Sequence, residues 1–231
     1  MTDIFWWVIF PYISITILIV GLIYRYAFNQ LSWTAPSTEF LGKKSLRAGT
    51  LLFHWGIIFA FIGHLMGILV PIEVYVALGV SDSAYKFGAI YGGGFVGLMV
   101  MAGLIILLIR KATVDPVRVK TSFADYFTVL ALLFVAGTGV YMTIIYNLTV
   151  VHYEYRLTIG PWFRSLFTLQ PNYELMSAVP FIFKLHVISA FALFASIPFT
   201  HLVHMFSIPV KYPARPPQQY RSRSNYREEQ L

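Results

Sequence analysis

Five stretches of this chain are too long and too apolar for the surface of a soluble protein. Ile4–Tyr24, Leu51–Val70, Phe87–Ile109 and Tyr126–Tyr146 contain no Asp, Glu, Lys or Arg, and Phe181–Phe206 contains only Lys184. About 20 such residues cross a hydrocarbon core roughly 30 Å thick. Lipid offers no hydrogen bonds, so each crossing must satisfy its own backbone as a helix. The pattern predicts an all-α integral membrane protein with five transmembrane helices. Composition agrees: 58% of the 231 residues are apolar and 12% charged, against about 25% charged in a soluble domain.

The charges that remain are sided. Arg25, Lys43, Lys44 and Arg47 follow the first run, Arg110, Lys111, Arg118 and Lys120 the third, and Lys211, Arg215, Arg221, Arg223 and Arg227 the fifth. The opposite side holds only Lys86, Arg156 and Arg164. Basic loops stay in the cytoplasm, which predicts an N-terminus outside, a C-terminus inside and a multi-pass protein of the cell membrane. The net charge of +7 is therefore a topology signal, and no nucleic-acid partner is expected. The first run lacks a basic leader and a small-residue cleavage site, so it reads as a retained helix. Residues 1–211 form one membrane domain with short connections. Residues 212–231, rich in Pro, Arg, Gln and Ser, form a cytoplasmic basic tail that is disordered or draped over a partner. Pro161–Phe167 is either an amphipathic turn along the interface or a surface loop with an aromatic anchor.

Against this background four histidines stand out. His54 and His64 lie in the second run, and His186 and His204 in the fifth. Ionisable residues inside a membrane are costly and mark functional sites. The two runs point in opposite directions, so depth pairs His64 with His186 near the outer face and His54 with His204 near the inner face. Two facing imidazoles can fill both axial positions of a heme iron, which then passes single electrons. The chain has no cysteine. That excludes thiolate-held clusters and covalent c-type heme, so two hemes b held without covalent attachment are expected.

The spacing is a test. His186 and His204 are 18 residues apart, five turns of a continuous helix, and would share a face. His54 and His64 are 10 apart and diverge by roughly 80°. The rises differ too, roughly 27 Å against 15 Å. Pro198 lacks the N–H that the carbonyl of Phe194 needs, so a kink is expected there.

The same residues resemble a known family. Phe53-His54-Trp55-Gly56 and Gly63-His64-Leu65-Met66-Gly67 are similar to the second helix of the gamma subunit of respiratory nitrate reductase, a membrane cytochrome b. Phe181–His186 and Pro198–His204 resemble its fifth helix, and Trp33-Thr34-Ala35, Lys43-Lys44 and Gly160–Arg164 also fit. The resemblance implies that His64 and His186 ligate an outer heme b and His54 and His204 an inner one. It implies that quinol, menaquinol or ubiquinol, is oxidised near the outer heme with proton release outside. Electrons then pass to a cytoplasmic iron–sulfur beta subunit and on to a molybdenum alpha subunit that reduces nitrate. It also places a lysine at the quinol site, for which Lys86 is the candidate; a snorkelling lysine is the alternative. Where the family usually has arginine this chain has His201, read as a heme propionate or partner contact. Lys184 is either a propionate contact or a snorkelling residue.

Other residues have plainer readings. Asp125 is expected to cap a helix, Trp55 to pack, and His152 to lie on the surface of the outer loop. Gly93 and Gly97 have the spacing that lets helices or a flat cofactor approach closely. Two rival functions remain: a diheme quinol-oxidising anchor of a sulfur-compound reductase, and a histidine-lined metal transporter. A transporter would be expected to add carboxylates or thiols at depth, which the second and fifth runs lack.

Overall fold

A computed structural model describes residues 2–33, 43–150 and 153–207. His152 and the tail from 212 onward lie outside the described residues. Five helices are long and apolar enough to cross a membrane: α1 (Thr2–Phe28), α2 (Lys44–Leu69), α3 (Asp82–Thr113), α4 (Phe123–Thr149) and α5 (Phe181–Phe199). All described regular structure is helical.

The spans overrun the charge-free runs because polar residues cap them. Ser122 opens α4 with a reciprocal capping box: its Oγ accepts from the Asp125 N–H, and the Asp125 carboxylate accepts from the Ser122 N–H at 2.9 Å. The cap itself is thus Ser122, and Asp125, expected to cap, closes the box from the third position of the helix. Ser81 opens α3, accepting from the Ala84 N–H at 3.3 Å. Lys86, expected in a loop, therefore sits on the first turns of α3, where it pairs with Asp82 four residues back.

Small residues set the helix packing. α2 lies against α3 where a Cβ on Gly103 would stand 2.5 Å from the Phe53 backbone nitrogen, and one on Gly56 2.9 Å from Val100. A Cβ on Gly97 would stand 2.7 Å from Val140 on α4, and one on Gly93 3.5 Å from Thr143, so this glycine pair serves helix packing. α4 packs on α5, and α5 on α1. The sequence of close neighbours is thus α2–α3–α4–α5–α1, which sets α2 and α5 facing each other from either side of the α3–α4 pair.

The fifth span departs from the expected 26-residue helix. Its α-helical part, Phe181–Ser196, tightens to a 3₁₀ turn at Ile197–Phe199. Thr200 is extended (φ −122°, ψ 174°), and a separate 3₁₀ segment, His201–Phe206, carries His204. Pro198 is the cause: it cannot donate to the helix, and its ring crowds the preceding turn. The five-turn argument therefore fails, since no continuous helix joins His186 to His204.

Wide π turns interrupt the other four spans, at Phe5–Ile9, Leu65–Leu69, Gly88–Gly92 and Tyr141–Tyr146. Because successive spans alternate in direction, all four lie at the end of the bundle that holds His64 and His186. That end is closed by a short helix, Ile159–Phe167. Of the two expected forms, a helical turn and a surface loop, it is the helical one, and Trp162 points inward while Phe167 is exposed. Trp162 is fully buried, its indole N–H donates to the Trp7 carbonyl at 2.9 Å, and its ring meets Trp7 edge-on. A buried indole needs such an acceptor, and the second turn of α1 provides it.

Candidate functional site

Two histidine pairs form across the gap between α2 and the α5 region. The His64 and His186 rings stand 6.1 Å apart between centroids, inclined by only 16°. The His54 and His204 rings stand 6.2 Å apart, inclined by 60°. These are the pairs that depth predicts. The break at Pro198 removes the mismatch in rise, because His204 reaches the level of His54 from a turned segment instead of an extended helix.

Each ring is oriented through its Nδ1. That of His54 donates to the Thr50 carbonyl at 2.8 Å, that of His64 to Ala60 at 2.6 Å, and that of His204 to His201 at 2.5 Å. A carbonyl only accepts, so the proton is on Nδ1 in all three. His186 Nδ1 lies 3.0 Å from the Thr138 hydroxyl, which already donates to the Val135 carbonyl at 2.9 Å. Thr138 must therefore accept, and His186 is the same tautomer. All four Nε2 atoms keep their lone pairs for a metal, with the second-shell bond that metal-bound imidazoles use.

The residues fit an axial bis-imidazole site. An imidazole nitrogen lies about 2 Å from a bound metal, and its ring centre roughly 1.1 Å further. Two rings sharing one ion are then about 6 Å apart, as both pairs are. Among the described residues no group of three or more His, Cys, Asp or Glu side chains comes together. A tetrapyrrole needs only two protein ligands, whereas a bare ion held by side chains alone needs more.

The C-terminal end of α2, just beyond His64, is held by a polar cluster. Tyr75 donates to the Met66 carbonyl at 2.8 Å and Arg164 to that of Ile68 at 2.7 Å, satisfying groups that a helix end leaves free. The Tyr155 hydroxyl occupies the place of a side chain on Gly67 and bonds the Tyr85 hydroxyl at 2.8 Å. Arg156, 4% exposed, is bidentate to Glu154 at 2.6 and 2.8 Å, also bonds Asp82, and lies 3.8 Å over the Tyr85 ring. The Glu154 carboxylate holds the Arg156 proton more firmly than usual. Burial, followed by the Tyr85 hydroxyl, pushes the Tyr155 phenol well above its ordinary range. Sequence reading noted Arg156 only as a stray positive charge. Glu154 lies two residues away, but Asp82 comes from the first turn of α3, 74 residues earlier, and no local spacing announces it.

The remaining candidates fall in three places. Lys86 borders this cluster, 2.9 Å from Asp82 and 3.9 Å from Glu154. Lys184 turns aside and donates to the Ser177 carbonyl at 2.9 Å. His201 lies at the other end, its Nδ1 3.0 Å from an Asp125 oxygen, which ties the 3₁₀ segment to the start of α4. Trp55 is half exposed and stacks on Phe59.

The profile of the family described as nitrate reductase gamma subunit matches residues 3–223. The chain belongs to that family. It is 44% identical over 218 residues to the nitrate reductase gamma chain of Bacillus subtilis (strain 168), covering 94% of this chain and 97% of that one. It is 31% identical over 222 residues to the respiratory nitrate reductase 1 gamma chain of Escherichia coli (strain K12), covering 96% and 98%. It is also 37% identical over 225 residues to the nitrate reductase-like protein NarX of Mycobacterium tuberculosis, covering 96% of this chain but 34% of that protein. As a nitrate reductase gamma subunit it is a multi-pass membrane protein and one member of a larger complex. Membership also favours nitrate over a sulfur compound as the complex's substrate.

Proposed function

We propose that this gamma subunit oxidises quinol at the outer face of the cell membrane and delivers the electrons inward for nitrate reduction. The observation that carries the reading is the two facing histidine pairs with all four Nδ1 protons committed. Two hemes b, bound by His64 with His186 and by His54 with His204, would supply one-electron carriers at two depths.

The chain's own residues do the rest. The Nδ1 bonds fix each ring before any ligand arrives, so little ordering is needed on binding. A quinol gives up two electrons and two protons, and the protons must leave where it is oxidised. The His64 end supplies ionisable groups for that step: Lys86, Asp82 and Glu154 lie together there. Lys86 is proposed to meet the quinol oxygen, displaced from its carboxylate partners. His201, bound to Asp125, is available to a propionate or to the partner below. The sided charge supports an orientation with the His64 end outside and the basic loops in the cytoplasm. There the iron–sulfur beta and molybdenum alpha subunits are proposed to dock. Protons released outside and electrons moved inward both charge the membrane, at about 2.3 kcal/mol per charge per 100 mV.

The test uses the whole complex in membranes. Reduction by a quinol analogue should give a b-type α-band from two hemes, and vesicles of known orientation should acidify the outer side. His64→Ala should lose one heme and all quinol-driven reduction. Two intact hemes in that variant, or acid appearing inside, would refute the reading.

A further inference from the structure

The carbonyl groups at the break in α5 keep lone pairs that the 3₁₀ turns on either side leave open. One side chain from α1 takes them. Arg25 donates from a single nitrogen, Nη1, to the carbonyls of Pro198 at 2.7 Å and Thr200 at 2.8 Å. Its Nε donates to the Ser32 Oγ at 3.0 Å and its Nη2 to the Ser32 carbonyl at 2.5 Å. Ser32 Oγ in turn donates to the Asn29 carbonyl at 2.8 Å. The guanidinium is gripped on one edge by its own helix terminus and grips the break with the other.

Four residues before Arg25, on the same face of α1, lies Gly21. A Cβ there would stand 2.6 Å from the Pro198 Cβ, so the missing side chain is the notch in which the proline sits. Gly21 and Arg25 together make α1 a mould for the turn. What leaves the mould is the ligand segment. Thr200 starts it, its Oγ accepting from the Leu202 N–H at 3.4 Å. Four residues on, His204 faces His54 at 6.2 Å. The carbonyl of Thr200, held by Arg25, is therefore the fixed point from which His204 is aimed.

We infer that Arg25 is a positioning residue for His204, fixing the α5 break so that this imidazole faces His54. The inference rests on the proposed ligation of a heme by that pair. It accounts for an arginine at this position: all four bonds come from one guanidinium, whose N–H donors are set in a rigid fork. A lysine ammonium, a point charge on a flexible stem, cannot span them. It also gives α1, which carries no histidine, a part in the electron path.

The experiment compares Arg25→Lys, Arg25→Gln, Ser32→Ala, His204→Ala and His64→Ala in the assembled membrane complex. The readouts are the low-field g value in the electron paramagnetic resonance spectrum, the midpoint potential and the content of each heme. The two histidine variants identify which signal depends on which pair. Both Arg25 variants are expected to shift the His204-dependent signal and lower its occupancy, leaving the His64-dependent signal as in the parent. Failure of lysine to restore it separates aim from charge. Ser32→Ala should move the same signal less. An unshifted His204-dependent signal in the Arg25 variants refutes the inference. If those variants do not accumulate, an unshifted signal in Ser32→Ala refutes it instead. If His204→Ala keeps both signals, the ligand assignment itself has failed; a null result confined to Arg25 and Ser32 refutes the clamp alone.

Discussion

Two glycines on one helix should respond oppositely to the same added methyl group. At Gly103, the Cβ of an alanine would lie 2.5 Å from the Phe53 nitrogen, 2.9 Å from its Cα and 2.9 Å from the Gly49 carbonyl oxygen. These are backbone atoms of α2 and cannot rotate away. Relief to the 3.4 Å at which ordinary contact begins requires α2 and α3 to part by about 0.9 Å. Forced overpacking of this kind costs about 1–3 kcal/mol, sometimes more. Phe53 precedes His54, so the same movement displaces a histidine of the inner pair. At Gly93, ten residues earlier, the added Cβ would meet only the Thr143 methyl at 3.5 Å. Alanine there gains up to about 1 kcal/mol of helix propensity. Thermal loss of helical circular dichroism, followed with heme content on the purified complex, checks both. Gly103→Ala should melt several degrees lower and lose heme from the His54–His204 pair first, while Gly93→Ala should melt at or above the parent. Equal melting temperatures and full heme content in Gly103→Ala would refute the account of how α2 is seated.

Three further outcomes are expected. Thr138→Val removes the acceptor of the His186 Nδ1 proton, and loss of such a second-shell bond weakens metal binding about 10–100-fold; heme release into apomyoglobin measures it. Arg156→Met strips Glu154 of a bidentate partner that is 4% exposed. Charge-assisted bonds of this kind are worth about 1.5–3 kcal/mol each, and Asp82, being largely solvated, adds little, so a loss of about 3 kcal/mol should appear in chemical unfolding. Lys184→Gln should leave the potentials of both hemes unchanged in a redox titration, because its ammonium is engaged by Ser177; a shift would return it to the cofactor.

How much of this was legible beforehand depended on the range of the interaction. Charge-free runs announce membrane spans because lipid penalises each charge independently of neighbours, so the five helices needed no tertiary information. Depth is nearly as local, and it paired the histidines. The angular argument along the fifth run failed at a single residue: Pro198 marked a kink, but its angle depends on what receives the freed carbonyls. That receiver, Arg25, is 173 residues away in the chain. The polar cluster beyond His64 was invisible for the same reason, since Asp82 on α3 meets Arg156 from 74 residues away. The sequence of Pro161–Phe167 left its form open between an amphipathic turn and a surface loop, and the buried bond from the Trp162 indole to the Trp7 carbonyl decided it.

Sequence alone determined the spans, the predicted sidedness and the depth of each imidazole, because these follow from the solvation of residues taken one at a time. The tertiary structure alone decided which way each imidazole faces, where the fifth helix ends, and that the first helix holds that ending in place. Direction is set by hydrogen bonds and close contacts between distant segments, and no term in a one-dimensional pattern encodes those until the chain has packed.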